Sequence, residues 1–439
     1  MKYLFLFLLS VTTVNAFSQE KTWTLTECMR YAVENSPKRN KQAAQNEIYK
    51  QNYLESIGGL VPSVRGNTNA SFNFGRGLDY ETNTYINTNS FSNSYSIYSS
   101  VTLFDGLSGI SRMKMQKINR LMGKDQLKQT EDLLAYETME VFLNVVYYRG
   151  TVELAQEQLE ESEATLKQVT RMQELGLKAA PDVTEIRAKE AADRYQLTQQ
   201  KNLYELELIR LKEKMNFPID ESLTVTESIE SLLVSEEAEN ASDIFHKAMD
   251  YLPQIRASQH ALKASKMGYR AAKGNLYPSI AMEGGYSTGF SRLMDGSKYE
   301  PFKDQLKNRR GHYVAFSLNI PIFSGFSRSA EVKRSKQRMI IAANEYDETL
   351  RTVHSEIQQA VADMKGQSDQ YVQAVRQTEA MEEAHRVNQR KYTEGLISMI
   401  ELSTSSNRLL QAKVEKLNAE LKYQLKYKLV EYYKGNGFF

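Results

Sequence analysis

The pattern Gly285-Tyr286-Ser287-Thr288-Gly289 is the G-x-S-x-G spacing that in hydrolases carries a nucleophilic serine. That chemistry needs the serine on a sharp strand-to-helix turn. Here the motif lies inside a stretch that alternates apolar and polar residues, and no helix follows it, so the expected role is a strand position and not catalysis. The five histidines, His246, His260, His312, His354 and His385, are scattered without metal-ligand spacing. Gly75-Arg76-Gly77 lacks the rest of a phosphate loop. The one cysteine, Cys28, excludes an internal disulfide framework and reads as a small apolar residue on a helix face. The sequence therefore points away from an enzyme, and no metal or cofactor set is expected.

The remaining polar candidates cluster at two glycine turns, Leu175-Gly176-Leu177-Lys178-Ala179-Ala180-Pro181-Asp182-Val183 and Glu394-Gly395-Leu396-Ile397-Ser398-Met399-Ile400-Glu401-Leu402. Gly176 and Gly395 suit left-handed caps at helix ends. Asp182, with Glu185 three residues on, suits the N-cap of a capping box. Glu401 suits a helix start, where the macrodipole favours a carboxylate.

These turns punctuate a chain that is one unit written twice. Pro37 and Pro253 lie 216 residues apart, as do Pro62 and Pro278. Leu103-Phe104-Asp105-Gly106 recurs as Ile322-Phe323-Ser324-Gly325, 219 residues on, and Gly176 recurs as Gly395 at the same spacing. The expected organisation is a first repeat over 19–215, a joining segment over 216–240 and a second repeat over 241–439. Each repeat opens with a helical segment (24–57 and 241–275), the first broken at Ser36-Pro37. Two strands follow, 61–75 with 91–104 and 278–291 with 311–323. A long helix runs over 106–175 and 325–394, then a returning helix over 182–215 and 401–433. Seams such as Val152, Ala155, Leu159, Ser162, Leu166 and Val169 step by 3 and 4, as coiled-coil packing requires. In the strands, Tyr95, Ile97, Val101 and Leu103 oppose a serine-rich face, and Val314, Phe316, Leu318, Ile320 and Ile322 form a second apolar face. The loops between strands, 76–90 and 292–310, are polar and carry Tyr80, Tyr85, Tyr299 and Phe302.

The N-terminus has the form of a secretory signal peptide over 1–18: Lys2, an apolar stretch from Leu4 to Val14, then small residues. No later run is long and apolar enough for a transmembrane helix. The formal net charge of +2 shows no bias toward polyanions, so no nucleic acid partner is expected. Eight prolines in 439 residues leave long helices uninterrupted.

A helix over 106–175 would span roughly 105 Å, a length suited to a tube and not to a globular enzyme. The strands suit a membrane wall, which tolerates no open sheet edge, and closed barrels start at about eight strands. Four strands per chain therefore call for oligomerisation: three copies supply twelve, whereas two supply eight and leave no wide lumen.

The duplicated plan, the Leu103-Phe104-Asp105-Gly106-Leu107 junction and the paired hairpin tips resemble the outer membrane efflux protein family, the TolC-like channels, over nearly the whole mature chain. The resemblance implies a mostly α fold with a small β part: a long α-helical barrel in the periplasm and a twelve-stranded β-barrel in the outer membrane, shared by a homotrimer. It implies a passive exit duct of a tripartite efflux pump or type I secretion system, in contact with outer membrane lipid, a periplasmic adaptor and an inner-membrane transporter. The tips Gly176-Leu177 and Gly395-Leu396 become the adaptor-docking points. Asp182 bonded to Tyr392 becomes part of an entrance gate, and Glu401 matches an acidic ring facing the lumen. The family's gating arginine is replaced by Ile397, and a second acidic position by Thr404. The basic set Arg292, Lys298, Lys303, Lys307, Arg309 and Arg310 falls in an extracellular loop and reads either as a contact for anionic headgroups or as a solvated loop. The rival reading is a periplasmic coiled-coil adaptor or structural rod, which needs no strands with apolar faces and, as an adaptor, one long hairpin instead of two.

Overall fold

The computed structural model describes residues 22–79, 82–87, 89–226, 240–294, 296 and 298–438. The expected signal peptide, Tyr80 and residues 227–239 of the joining segment lie outside them.

In chain order the first half contains β1 (Thr22–Trp23), α1 (Leu25–Glu34), α2 (Pro37–Gly58), β2 (Ser63–Asn73), β3 (Arg76–Asp79), β4 (Thr84–Asn87), β5 (Ser90–Phe104), α3 (Ser108–Glu174) and α4 (Ala180–Met215). After β6 (Thr224–Val225) come α5 (Ala241–Tyr251), α6 (Pro253–Gly274), β7 (Ser279–Leu293), α7 (Phe302–Asn308), β8 (Gly311–Asn319), α8 (Ser327–Thr393) and α9 (Met399–Lys434). The fold is mostly α with a small β part, as the sequence led us to expect. α3 and α8 have 67 residues each, and α4 and α9 have 36 each. Such lengths need no breaker and a clear stop. Ser36 supplies one break: its Oγ accepts from Lys38 N at 3.2 Å, and Pro37 opens α2.

The described residues form two compact units, each drawing on both halves of the chain. One takes in 1–40, 130–248 and 354–439. Its core gathers Cys28, Ala32, Phe142, Val145, Leu211 and Met215 from α1, α3 and α4, with Phe217 and Val225 beyond. Trp23 closes this cluster edge-on against Tyr31 and Phe217, at ring-centroid distances of 5.2 and 5.6 Å. β1 and β6 pair in parallel beside it, a contact that two-residue strands do not announce in sequence. Cys28 is a buried free thiol, in the packing role expected of it.

The other unit, 41–129 and 249–353, holds a four-stranded sheet in the order β2-β5-β7-β8, every neighbouring pair antiparallel. Cross-strand partners share a face. Val64, Phe72, Ile97, Val101, Ile280, Met282, Val314, Phe316 and Leu318 fall on one face, and Ser63, Asn67, Asn69, Ser96, Ser100, Glu283 and Ser317 on the other. The apolar residues at β2 and β8, including Val64, Phe72, Val314, Phe316 and Leu318, are exposed. β2 and β8 each have a partner on one side only.

Four details depart from the sequence reading. β8 stops at Asn319 and not 323, because Pro321 has no N–H to continue the ladder. The β5–β7 register shifts between Thr102 and Phe104, so Phe104, not Leu103, faces Ile280. The 76–90 loop contains the β3–β4 hairpin. The 292–310 loop contains α7, whose Gln305 side chain is only 1% exposed. That amide meets Ser291 twice, accepting from its N at 2.9 Å and donating to its carbonyl at 3.0 Å.

Gly106 carries φ +66°, and a Cβ there would meet the Gly274 carbonyl oxygen at 2.2 Å and Tyr277 Cβ at 2.9 Å. The chain thus brings two backbones together where β5 ends and β7 begins. The corresponding positions, Gly58 and Gly325, have nothing within 4 Å of a built Cβ.

Candidate functional site

The two hairpin turns are built alike. Gly176 N donates to Gln173 O at 2.9 Å and Leu177 N to Met172 O at 2.8 Å. Gly395 N donates to Tyr392 O at 3.0 Å and Leu396 N to Lys391 O at 2.8 Å. This pair of bonds is the Schellman closure, and it needs a left-handed residue at the glycine. Both glycines have it, at φ +75° and +76°. The closure turns the next side chain outward: Leu177 is 66% exposed and Leu396 68%. A Cβ on either glycine would meet nothing within 4 Å, so within the chain these glycines answer to backbone conformation alone.

The helices that follow begin earlier than expected, α4 at Ala180 and α9 at Met399. Pro181 fits the first turn, where its missing N–H costs nothing. Asp182 is therefore not the N-cap. It sits three residues after the N-cap, Ala179, and its Oδ2 accepts from Ala179 N at 3.3 Å. In α9 the arrangement is reciprocal: Ser398 Oγ accepts from Glu401 N at 3.3 Å, and Glu401 Oε2 accepts from Ser398 N at 3.0 Å. Glu401 is exposed, and its carboxylate is held against the helix start.

Tyr392 ends up inside. It joins Val169, Val183, Ile186, Met399 and Leu402 in a cluster contributed by both hairpins, with Leu166 and Ile397 packed alongside. Each of these aliphatic side chains gains about 1.5–3 kcal/mol from burial. Ile397 thus completes an apolar seat. Among the described residues the Tyr392 hydroxyl has no hydrogen-bond partner, so the expected bond to Asp182 is not made within this chain; Asp182 accepts from Ala179 N instead. The carboxylate is still near enough to be felt. Burial raises the Tyr392 phenol above its ordinary range, and the charges of Asp182 and Glu185 raise it further. Lys178 sits with its Nζ 4.4 Å from the Tyr392 ring centroid, a contact between two hairpins that no local pattern announces.

A second polar layer joins the hairpins. His385 Nε2 lies 2.9 Å from Glu161 Oε1, although the residues are 224 apart in sequence. Ser406 bonds Gln158, donor to it at 2.7 Å, and donates to Glu161 Oε2 at 3.1 Å. Lys189 Nζ donates to Asn407 Oδ1 at 3.0 Å and pairs with Asp193. The His385 bond is the largest influence holding the Glu161 carboxyl below the usual range; burial opposes it and Ser406 assists it. Among the described residues no group of three or more His, Cys, Asp or Glu could hold a metal ion.

The chain thus carries two long hairpins with glycine-closed tips and a four-stranded sheet with one apolar and one polar face. Two solved structures share this fold: CusC, at TM-score 0.79 and 16% identity over 96% of both chains, and VceC from Vibrio cholerae, at TM-score 0.78 and 13% identity over 94% of this chain and 97% of that one. The outer membrane efflux protein family profile matches residues 245–429. Among relatives, the probable efflux pump outer membrane protein TtgC and the antibiotic efflux pump outer membrane protein ArpC, both of Pseudomonas putida, are each 24% identical over 59% of this chain. The alignment spans 51% of their own length. Over residues 245–429 the chain is similar to the outer membrane efflux protein family.

Proposed function

We propose that the chain is one subunit of a homotrimeric exit duct in the outer membrane, conducting substrates passively from a periplasmic adaptor and inner-membrane transporter to the exterior. The observation that carries this reading is the sheet: four antiparallel strands, one apolar face, and β2 and β8 unpaired on their outer sides. Hydrocarbon tolerates no such edge. Because the strand number is even, β8 of one copy meets β2 of the next antiparallel, and three copies close twelve strands. No catalysis is asked of the chain.

The two-repeat division, 19–215 and 241–439 about a joining segment, supports a specific geometry for that contact. Within the chain Ile97 faces Tyr286. Carried forward by 219 residues and back by 216, the pair becomes Phe316 of one copy opposite Ala70 of the next. The same shift turns the Gly106–Gly274 contact into Gly325 against Gly58, the two positions left open in the single chain.

Cysteines placed at Phe316 and Ala70 test this. Directly opposite residues in an antiparallel pair have Cα separations of about 4.5–5.5 Å, within disulfide range, and buried Cys28 does not compete. Oxidation should give a covalent three-subunit ladder, and moving the second cysteine to Phe72 should weaken it. A ladder ending at two subunits, or indifferent to register, would overturn the reading.

At the other end, Gly176-Leu177 and Gly395-Leu396 are the adaptor-docking tips, for which their outward leucines are support. Asp182, Tyr392 and Glu401 form the entrance gate, with the unpartnered Tyr392 hydroxyl available for a bond made when three entrances meet.

A further inference from the structure

α7 lies against the apolar face of the sheet at its loop end. Phe290, buried, packs edge-on against Phe302 at 5.2 Å and Tyr299 at 5.8 Å, and Phe91 lies 6.2 Å from the same ring. Phe72 continues the row at 4.8 Å from Phe91. Aromatic rings gathered at one end of an apolar wall mark the level where hydrocarbon gives way to headgroups. The helix is fixed there by Gln305 on Ser291 and by Thr288 Oγ1 donating to Leu306 O at 2.6 Å.

On a helix of 3.6 residues per turn, Phe302, Gln305 and Leu306 share the inward side. Lys303 and Lys307 fall together on one flank, and Asp304 and Asn308 on the other. Glu300 accepts from Asn308, and Asp304, one turn before Lys307, makes no ion pair with it among the described residues. Lys303, Lys307 and Arg310 are exposed, and among the described residues no ion pair or hydrogen bond engages their side chains. Arg292 adds a fourth cation beside Tyr299, 5.8 Å from its ring centroid. Strongly basic side chains without acid partners, on a rigid support just beyond an aromatic row, fit a surface of phosphates.

We propose that this rim, Lys303, Lys307 and Arg310 with Arg292, binds the phosphate groups of a phosphorylated glycolipid in the outer leaflet. The inference rests on the outer-membrane reading above. Each cation near an anionic membrane surface contributes about fivefold in affinity, so three contribute on the order of a hundredfold.

The test uses the purified full-length oligomer in nanodiscs of phosphatidylcholine alone or doped with bisphosphorylated or monophosphorylated lipid A, with retained lipid A counted by native mass spectrometry. Wild type should retain the bisphosphorylated form over the monophosphorylated one. Combined Lys303→Gln, Lys307→Gln and Arg310→Gln should insert as wild type does and lose roughly a hundredfold in lipid A affinity, while arginine at 303 and 307 should keep it. Equal retention of the two lipid A forms by wild type would overturn the proposal even if the triple variant fails to fold. So would a triple variant that inserts and binds like wild type. Wild type that enters none of the three kinds of nanodisc would overturn the membrane reading and this proposal together.

Discussion

The glycine pair at the strand–helix junctions offers a sharp perturbation, because one substitution at two related positions should fail in two different ways. Gly106→Ala places an L-residue at φ +66° and its Cβ 2.2 Å from the Gly274 carbonyl oxygen. A left-handed alanine costs about 1–2 kcal/mol. An overlap with backbone that cannot rotate away adds about 1–3 kcal/mol, toward the upper end here. The sum, about 4–5 kcal/mol, is comparable to the whole stability of many domains. Gly325→Ala meets nothing within 4 Å at φ +56°, so the folded chain bears only the conformational cost of about 1–2 kcal/mol. If subunits repeat the internal contact, that Cβ strikes Gly58 of the next copy and the full cost reappears on assembly. Refolding each variant into detergent, with helicity followed by circular dichroism and mass by light scattering, separates the cases. Gly106→Ala should fail to fold, and Gly325→Ala should give helical monomers that do not trimerise. Trimers of Gly325→Ala as stable as wild type would refute the repeated geometry.

Tyr392→Phe removes a hydroxyl with no partner in the chain, so it should fold and insert like wild type, yet raise single-channel conductance in planar bilayers. A stability loss above about 1 kcal/mol would show that the hydroxyl is already bonded, and unchanged conductance would place the gate elsewhere. Bulky residues at Gly176 or Gly395 meet no neighbouring atom, so the variants should reach the outer membrane and fail in transport; surviving transport in a cellular efflux assay would reduce these tips to turns. The Glu161 carboxyl is held below its usual value of 4.5, so its contribution is present above that value and lost as pH falls through the depressed one. Thermal unfolding followed against pH should show an acid limb that is shallower in Glu161→Gln; identical limbs would remove the His385 contact from the stability account.

What the sequence disclosed was set by local physics. Positive φ at Gly176 and Gly395, the Ser36-Pro37 break and the 3–4 seam through Ala155, Leu159 and Val169 are decided by residues close in the chain, and all could be read. The alternating faces of β5 and β8 were legible for the same reason, until the bulge at Leu103 and the stop imposed by Pro321 shifted their ends. The Glu161–His385 contact, the Lys178–Tyr392 stack and the seat filled by Ile397 join residues that only the folded hairpins bring together. The position of Asp182 was misjudged by one turn feature: Ala179 has no capping side chain, so sequence favoured the nearest carboxylate.

The Gln305 amide on Ser291 bears on how the sheet avoids the wrong company. β8 begins at Gly311, opposite Ser287, so beyond that point the backbone of β7 is paired with β5 on one side and has no β8 partner on the other. An exposed strand margin is a template on which any extended chain can grow. A side-chain amide can present an N–H and a carbonyl side by side, as a residue of a strand does, and here Gln305 takes both positions on Ser291 while its second N–H donates to Glu300 O at 2.7 Å. The margin is thereby made unreactive by the chain itself, before any second molecule arrives. In this sheet the open edges are then β2 and β8, the strands that the proposed trimer would pair. Among the described residues the four-stranded sheet thus keeps its two outer strands open for pairing and closes the margin of β7 with its own side chain.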